Sequence, residues 1–151
     1  MRVSFVSLPG LPWAMADQFV VAVVDDDPRL RQLILEELTD EGVTPIPCET
    51  GQHLLDLLQT QTVDLVFLDL MMPGMDGFQC LAELRKQSVP VPVIVVTALN
   101  DEINRQKVHD LGAVDYILKP DLFEHLPELL DQHLPGPRNV INRGQPLESE
   151  G

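Results

Sequence analysis

The sequence predicts an α/β fold in which a five-stranded parallel sheet is covered by helices on both faces. Three observations carry this reading. Five short apolar runs, at 19–24, 43–48, 64–69, 91–96 and 114–118, have the length and the β-branched content of buried strands. Each is followed by a segment whose apolar residues recur at helical spacing, opened by a capping residue or closed by a glycine. Regular alternation of the two demands crossover connections, which are right-handed and place helices on both sides of the sheet.

Taken in order, FVVAVV (19–24) is the first strand. Asp27-Pro28 opens the first helix, with Asp27 as N-cap and Pro28 at the first helical position. Leu30, Leu33, Ile34 and Leu38 are its expected inner stripe, and Gly42 is its stop. VTPIPC (43–48) carries Pro45 and Pro47, which confine the second strand to a sheet edge. Thr50 caps the second helix, with Leu54, Leu55 and Leu58 inward, and DLVFLD (64–69) is the third strand. After the loop MMPGMDG (71–77), Phe78, Leu81, Ala82 and Leu84 mark the third helix. VPVIVV (91–96) is the fourth strand. Residues 101–111 form a weakly amphipathic helix in which Ile103, Val108 and Leu111 are the apolar positions. VDYIL (114–118) is the fifth strand, and Leu122, Leu126, Leu129, Leu130 and His133 outline the last helix. Pro127 is costly in a helix interior, so that helix is expected either to start late, near Leu126, or to kink.

These elements make one domain over residues 18–134. Residues 1–17 read as an N-terminal extension, disordered or misassigned if Met15 is the true start. Residues 135–151, polar and rich in Gly and Pro, read as a disordered tail. With 24 acidic against 10 basic residues the net charge is −14. Phosphate backbones repel such a surface, which argues against direct nucleic-acid binding, whereas basic partner surfaces and divalent cations are favoured. Cys48 and Cys80 lack metal-ligand spacing and read as reduced thiols in or near the core. No apolar run is long enough to span a bilayer. Ala14-Met15-Ala16 loosely resembles a signal-peptide cleavage site, but Pro9, Gly10 and Pro12 interrupt the apolar stretch before it, and the expected location is cytoplasmic.

Ligands of open parallel sheets bind beyond the carboxyl ends of the strands, at the switch in strand order. The first strand ends in Asp25, Asp26 and Asp27, and the third in Asp69. Thr97 and Ala98 follow the fourth strand, and Lys119-Pro120 the fifth. Singly these are ordinary: an acidic run is usually a solvated loop or a helix cap, and a strand-end threonine is usually packing. Four strands delivering carboxylates, a hydroxyl and an ammonium to one rim fit phosphoryl transfer to a carboxylate. Clustered carboxylates repel one another and call for a hard cation. Mg²⁺ suits a few carboxylates plus carbonyl and water ligands. A lysine from the other side can balance a phosphoryl oxygen as a point charge.

The stretches VVDDDP (23–28), VFLDLMMPGMDG (66–77), VIVVTA (93–98) and DYILKP (115–120) resemble the receiver domain of two-component response regulators. The resemblance runs from about Phe19 to Leu134. It implies a flavodoxin-like fold with strand order 2-1-3-4-5, and phosphorylation of Asp69 by a histidine kinase or histidine phosphotransfer protein. It implies Mg²⁺ (or Mn²⁺) bound by Asp26, Asp69 and the Met71 carbonyl, with Asp25 acting through water. Thr97, Lys119 and the Ala98 backbone would contact the phosphoryl group, and Thr97 and Tyr116 would form the switch. The Lys119–Pro120 bond, often cis in the family, could be cis here. Output would be binding to a downstream protein target, and the chain would catalyse only its own phosphorylation and dephosphorylation. Relatives that lose the phosphoryl group quickly carry polar residues at the positions of Met71 and Leu99, so a long-lived phosphorylated state is expected. Relatives that dimerise through their last two helices pair acidic with basic residues. The last helix here, DLFEHLPELLDQHL, has no Lys or Arg, so a monomer is expected before phosphorylation.

Other classes fit less well. A haloacid-dehalogenase-type phosphohydrolase would need a second Asp two residues after the nucleophile, where Met71 stands, and a dinucleotide-binding module would need glycines where DDDP stands. A receiver-like interaction module that is not phosphorylated is the alternative within the same fold.

Overall fold

The computed structural model describes residues 18–138. The expectations for residues 1–17 and 139–151 lie outside them. Five strands, β1 (Val20–Val24), β2 (Thr44–Cys48), β3 (Leu65–Asp69), β4 (Val93–Thr97) and β5 (Asp115–Leu118), alternate with five helices. These are α1 (Pro28–Asp40), α2 (Gly51–Thr60), α3 (Gly77–Lys86), α4 (Glu102–Asp110) and α5 (Leu122–His133). The sheet is parallel, in the order β2-β1-β3-β4-β5. Strand order reverses between β1 and β3, so the carboxyl ends of these two strands flank the switch point.

The proline-bearing strand is at the edge, as its sequence requires. Thr44 donates its N–H to the Phe19 carbonyl at 2.8 Å. By the two-residue alternation, positions 45 and 47 turn their missing N–H groups away from β1, where no ladder bond is lost.

Alternation also divides the core into two layers. Val21, Val23, Leu65, Phe67, Ile94 and Val96 pack with Ile34 of α1 and Leu122, Leu126 and Leu130 of α5. Ala22, Val24, Val66, Leu68, Val93 and Val95 pack with Leu54 of α2, Leu81 of α3 and Val108 of α4. Cys48 and Cys80 are buried free thiols in this second layer. Burial pushes the Cys48 thiol up to about 11, with Arg31 opposing. Burial, with Cys48 adding, pushes Cys80 up to about 12. Both are therefore unreactive at neutral pH.

Helix ends follow the sequence signals closely. The Asp27 side chain accepts from the N–H groups of Arg29 and Leu30, and Pro28 begins α1. The Thr50 hydroxyl accepts from His53. Asp76 and Gln79 complete a reciprocal capping box at α3 that the sequence reading did not anticipate.

Several expectations are corrected. Leu33 is 52% exposed and so does not belong to the inner stripe of α1; Ile103, an apolar position of the weakly amphipathic α4, is 80% exposed. Ala82 is exposed, and Cys80 takes the inner place on α3. Helix α5 starts at Leu122, not near Leu126. A 3-10 turn over Lys119–Asp121 leads straight into it, and three buried leucines of its second and third turns hold it across Pro127. No described peptide bond is cis, Lys119–Pro120 included. The first residues of the expected tail are packed. Arg138 donates to Glu41 at 2.8 Å, to Asp131, and to the Pro127 carbonyl at 3.4 Å. Its side chain and that of Glu41 are almost fully buried, so the segment after α5 is fastened beneath the end of α1.

Candidate functional site

The carboxyl edge of the sheet gathers the predicted residues. Asp25 and Asp69 continue the alternation of Val21–Val23 and Leu65–Phe67, and both are 2% exposed. Asp26 is exposed beside them. One carboxylate oxygen from each of Asp25, Asp26 and Asp69 lies within 4.8 Å of the others. Lys119 closes the group from the turn just after β5, its Nζ 3.3 Å from Asp69 Oδ2 and 3.4 Å from Asp25 Oδ2.

Burial of paired carboxylates has an electrostatic cost. Loss of solvation pushes the Asp69 carboxyl from 3.8 to about 6, and the charge of Asp25 adds to the push. Lys119 and the Met71 N–H oppose it. Burial alone would lower the Lys119 ammonium. Asp69 and Asp25 more than offset it, and the net shift is upward. The lysine therefore stays charged, and the acidic group carries more negative charge than one ammonium balances. An all-oxygen donor set with two buried members suits a hard divalent cation such as Mg²⁺.

The loop after Asp69 is shaped by its breakers. Gly74 takes a left-handed conformation with φ 75°. The Met71 N–H donates to Asp69 Oδ1 at 3.2 Å, which orients the carboxylate. Met71 itself is 56% exposed while Met72 is buried, so only the second methionine covers apolar surface. Gly77 begins α3 directly against the end of β3. A Cβ there would lie 2.6 Å from the Asp69 carbonyl oxygen and 2.7 Å from the Leu70 Cα. The sequence marks this glycine only as a breaker of the loop; its spacing does not encode the close approach to the end of β3.

The other side of the site is β4 and the loop after it. Thr97 is fully buried and its hydroxyl accepts the Leu99 N–H at 3.1 Å. Ala98 is exposed next to it. The Tyr116 hydroxyl donates to the Leu99 carbonyl, so the ring is turned inward beneath the same loop. Burial, and then the charge of Asp101, raise its phenol above the usual range. The Arg105 guanidinium stacks 4.4 Å from the Tyr116 ring centroid. Arg31 of α1 is a second residue missed from sequence, with Nη1 2.6 Å from the Asp25 carbonyl. A polar residue at the fourth position of an amphipathic helix gives no signal that it turns back toward the preceding strand.

The sheet in this order, with an acidic group at the switch point answered by one lysine just after its far edge strand, matches the class of receiver domains. Residues 21–131 match the model of the response regulator receiver domain. The transcriptional regulatory protein TcrA of Mycobacterium tuberculosis is 36% identical over 125 residues, covering 80% of this chain and 49% of that protein. Response regulator RR06 of Streptococcus pneumoniae is 41% identical over 100 residues, covering 66% of this chain and 46% of that protein. Among solved structures, the chemotaxis protein CheY4 of Vibrio cholerae has a TM-score of 0.73 at 28% identity, covering 78% of this chain and 100% of that one. Response regulator TrrA of Thermotoga maritima, in complex with Mg(2+)-BeF, has a TM-score of 0.69 at 32% identity, with the same coverage. The chain thus belongs to the response regulator receiver family of two-component systems. It spans about half the length of these curated relatives. Among the described residues, no helix is long and apolar enough to cross a membrane.

Proposed function

We propose that the chain accepts a phosphoryl group on Asp69 from the phosphohistidine of a histidine kinase or phosphotransfer protein, and signals by binding a downstream protein. The observation that carries this is the convergence of Asp25, Asp26 and Asp69 with Lys119 at 3.3 and 3.4 Å. An Asp69 carboxylate oxygen attacks phosphorus, the phosphorus–nitrogen bond breaks, and the donor's imidazole leaves. Asp26, Asp69 and the Met71 carbonyl would hold Mg²⁺ (or Mn²⁺), with Asp25 acting through water. The cation would neutralise the incoming phosphoryl oxygens. Lys119 balances a further oxygen, and the Ala98 N–H and the Thr97 hydroxyl bond the remainder.

The Thr97 hydroxyl accepts the Leu99 N–H, and the Leu99 carbonyl in turn accepts from Tyr116. Drawing Thr97 toward a phosphoryl group would therefore disturb the loop that holds Tyr116 inward. That gives the switch its output on the face formed by α4 and β5. The chain turns over no separate substrate, works in the cytoplasm and is a monomer before phosphorylation.

Beryllofluoride, which mimics an aspartyl phosphate, tests the reading. With Mg²⁺ present it should raise the melting temperature of the wild type and shift amide resonances from Asp25 to Lys119. It should do neither with Asp69→Asn or in EDTA. A wild type that ignores beryllofluoride would instead favour a receiver-like interaction module that is not phosphorylated.

A further inference from the structure

We infer that Arg31 is a positioning residue for the metal-binding carboxylates, acting through the backbone between Asp25 and Asp26. The inference rests on the acidic group being a cation site, as proposed above. Arg31 sits at the fourth position of α1, and its side chain is 14% exposed. A buried guanidinium needs strong acceptors. Its close partner is the Asp25 carbonyl, at 2.6 Å from Nη1. Glu49, just after β2, is 4.0 Å from Nη2 and is itself 75% exposed, which makes it a weak, screened partner.

The Asp25 carbonyl belongs to the peptide that joins the two carboxylates. Fixing that peptide plane fixes the direction in which Asp26 leaves the chain. Two further bonds hold the same turn: the Asp25 N–H to the Cys48 carbonyl at 3.2 Å, and the Asp27 N–H to Asp25 Oδ1 at 2.8 Å. Of the three, only the arginine contact comes from a side chain outside the acidic run, and it braces the turn against α1. Asp26, the exposed member of the group, has the most freedom to lose. Outer partners that orient metal ligands in this way command affinity without touching the metal.

The test has a sign that separates positioning from charge. A cation beside a cation site repels Mg²⁺, so if Arg31 acted only by its charge, Arg31→Gln would bind Mg²⁺ more tightly. If it positions Asp26, Arg31→Gln should bind about tenfold more weakly, the low end of what outer-shell partners supply. Arg31→Lys keeps the charge and loses the fork, and should fall between wild type and Gln. Titration calorimetry with Mg²⁺ on the full chain gives the affinities. Amide hydrogen exchange at Asp26 and Asp27 in EDTA reads the same brace without metal, and should be faster in Arg31→Gln. Melting in EDTA reports whether the variants remain folded.

Weaker binding with faster exchange at Asp26 and Asp27, in variants that melt within a few degrees of wild type, supports the inference. Unchanged or tighter binding overturns it, as does a loss of affinity with unchanged exchange at the two amides. A wild type that takes up no Mg²⁺ overturns the metal-site reading itself. In that case unchanged exchange would remove the brace as well.

Discussion

Replacing Asp69 by Asn should stabilise the metal-free protein, and by an amount that depends on pH. The perturbation removes a charge that folding makes costly. Burial, with Asp25 adding and Lys119 opposing, raises the carboxyl from 3.8 to about 6. A difference of roughly two pH units between folded and unfolded chains corresponds to about 3 kcal/mol. The sign follows from proton binding. Across the window from 3.8 to about 6 the folded chain holds its proton where the unfolded chain has lost it, so wild-type stability falls as pH rises. Above that window the wild type carries the whole penalty, and below it none. Asn is neutral throughout and still offers an oxygen to the Met71 N–H. Urea unfolding of both proteins in EDTA measures the difference. The variant should be more stable by about 2–3 kcal/mol near pH 8, and the gain should vanish near pH 4. Equal stability near pH 8, or a gain that grows on acidification, would refute the reasoning.

Further outcomes follow from the geometry. Gly77→Ala drives a Cβ into the Asp69 carbonyl and the Leu70 Cα, and should cost about 1–3 kcal/mol and weaken Mg²⁺ binding. Denaturant midpoints and calorimetry check it. Asp26→Ala should cut Mg²⁺ affinity tenfold or more. Asp27→Ala should leave it nearly intact and cost about 1 kcal/mol by uncapping α1. If Asp27→Ala abolished binding instead, the register of the acidic pair would be wrong. Met71 is exposed and Leu99 is half-buried, and neither side chain can align an attacking water. The phosphorylated state should outlast minutes, and Met71→Asn with Leu99→Glu should shorten it. Phosphate release after removal of the donor decides, and a wild-type half-life of seconds that the double variant leaves unchanged would contradict this.

Most of the site was legible because its residues stand where apolar runs stop. Asp69 and Thr97 each end a strand and Asp25 and Lys119 each follow one, and a parallel sheet brings strand ends together whatever the details of packing. The edge strand was legible for a similar reason, since Pro45 and Pro47 can lose an N–H only where no neighbour needs it. What escaped depends on distances that sequence spacing does not encode. Leu33 and Ile103 are apolar and near the periodic positions, yet whether a helix buries two or three of its stripe depends on its rotation against the sheet. Arg31 and Gly77 act through backbone atoms of other elements. Arg138 reads as one charge in a polar tail, and only the fold shows Glu41 waiting 97 positions earlier in the chain. Pro127 argued for a later helix start or a kink; the late start does not occur, because Leu126, Leu129 and Leu130, all buried, outweigh one lost hydrogen bond.

The most direct measurement of the central claim is the intact mass of the protein after incubation with acetyl phosphate and Mg²⁺, followed by peptide mapping. The account predicts one added phosphoryl group, carried by the peptide that contains Asp69, dependent on the metal and absent from Asp69→Asn. Equal labelling of Asp69→Asn, or no label on the wild type with the metal present, would contradict it.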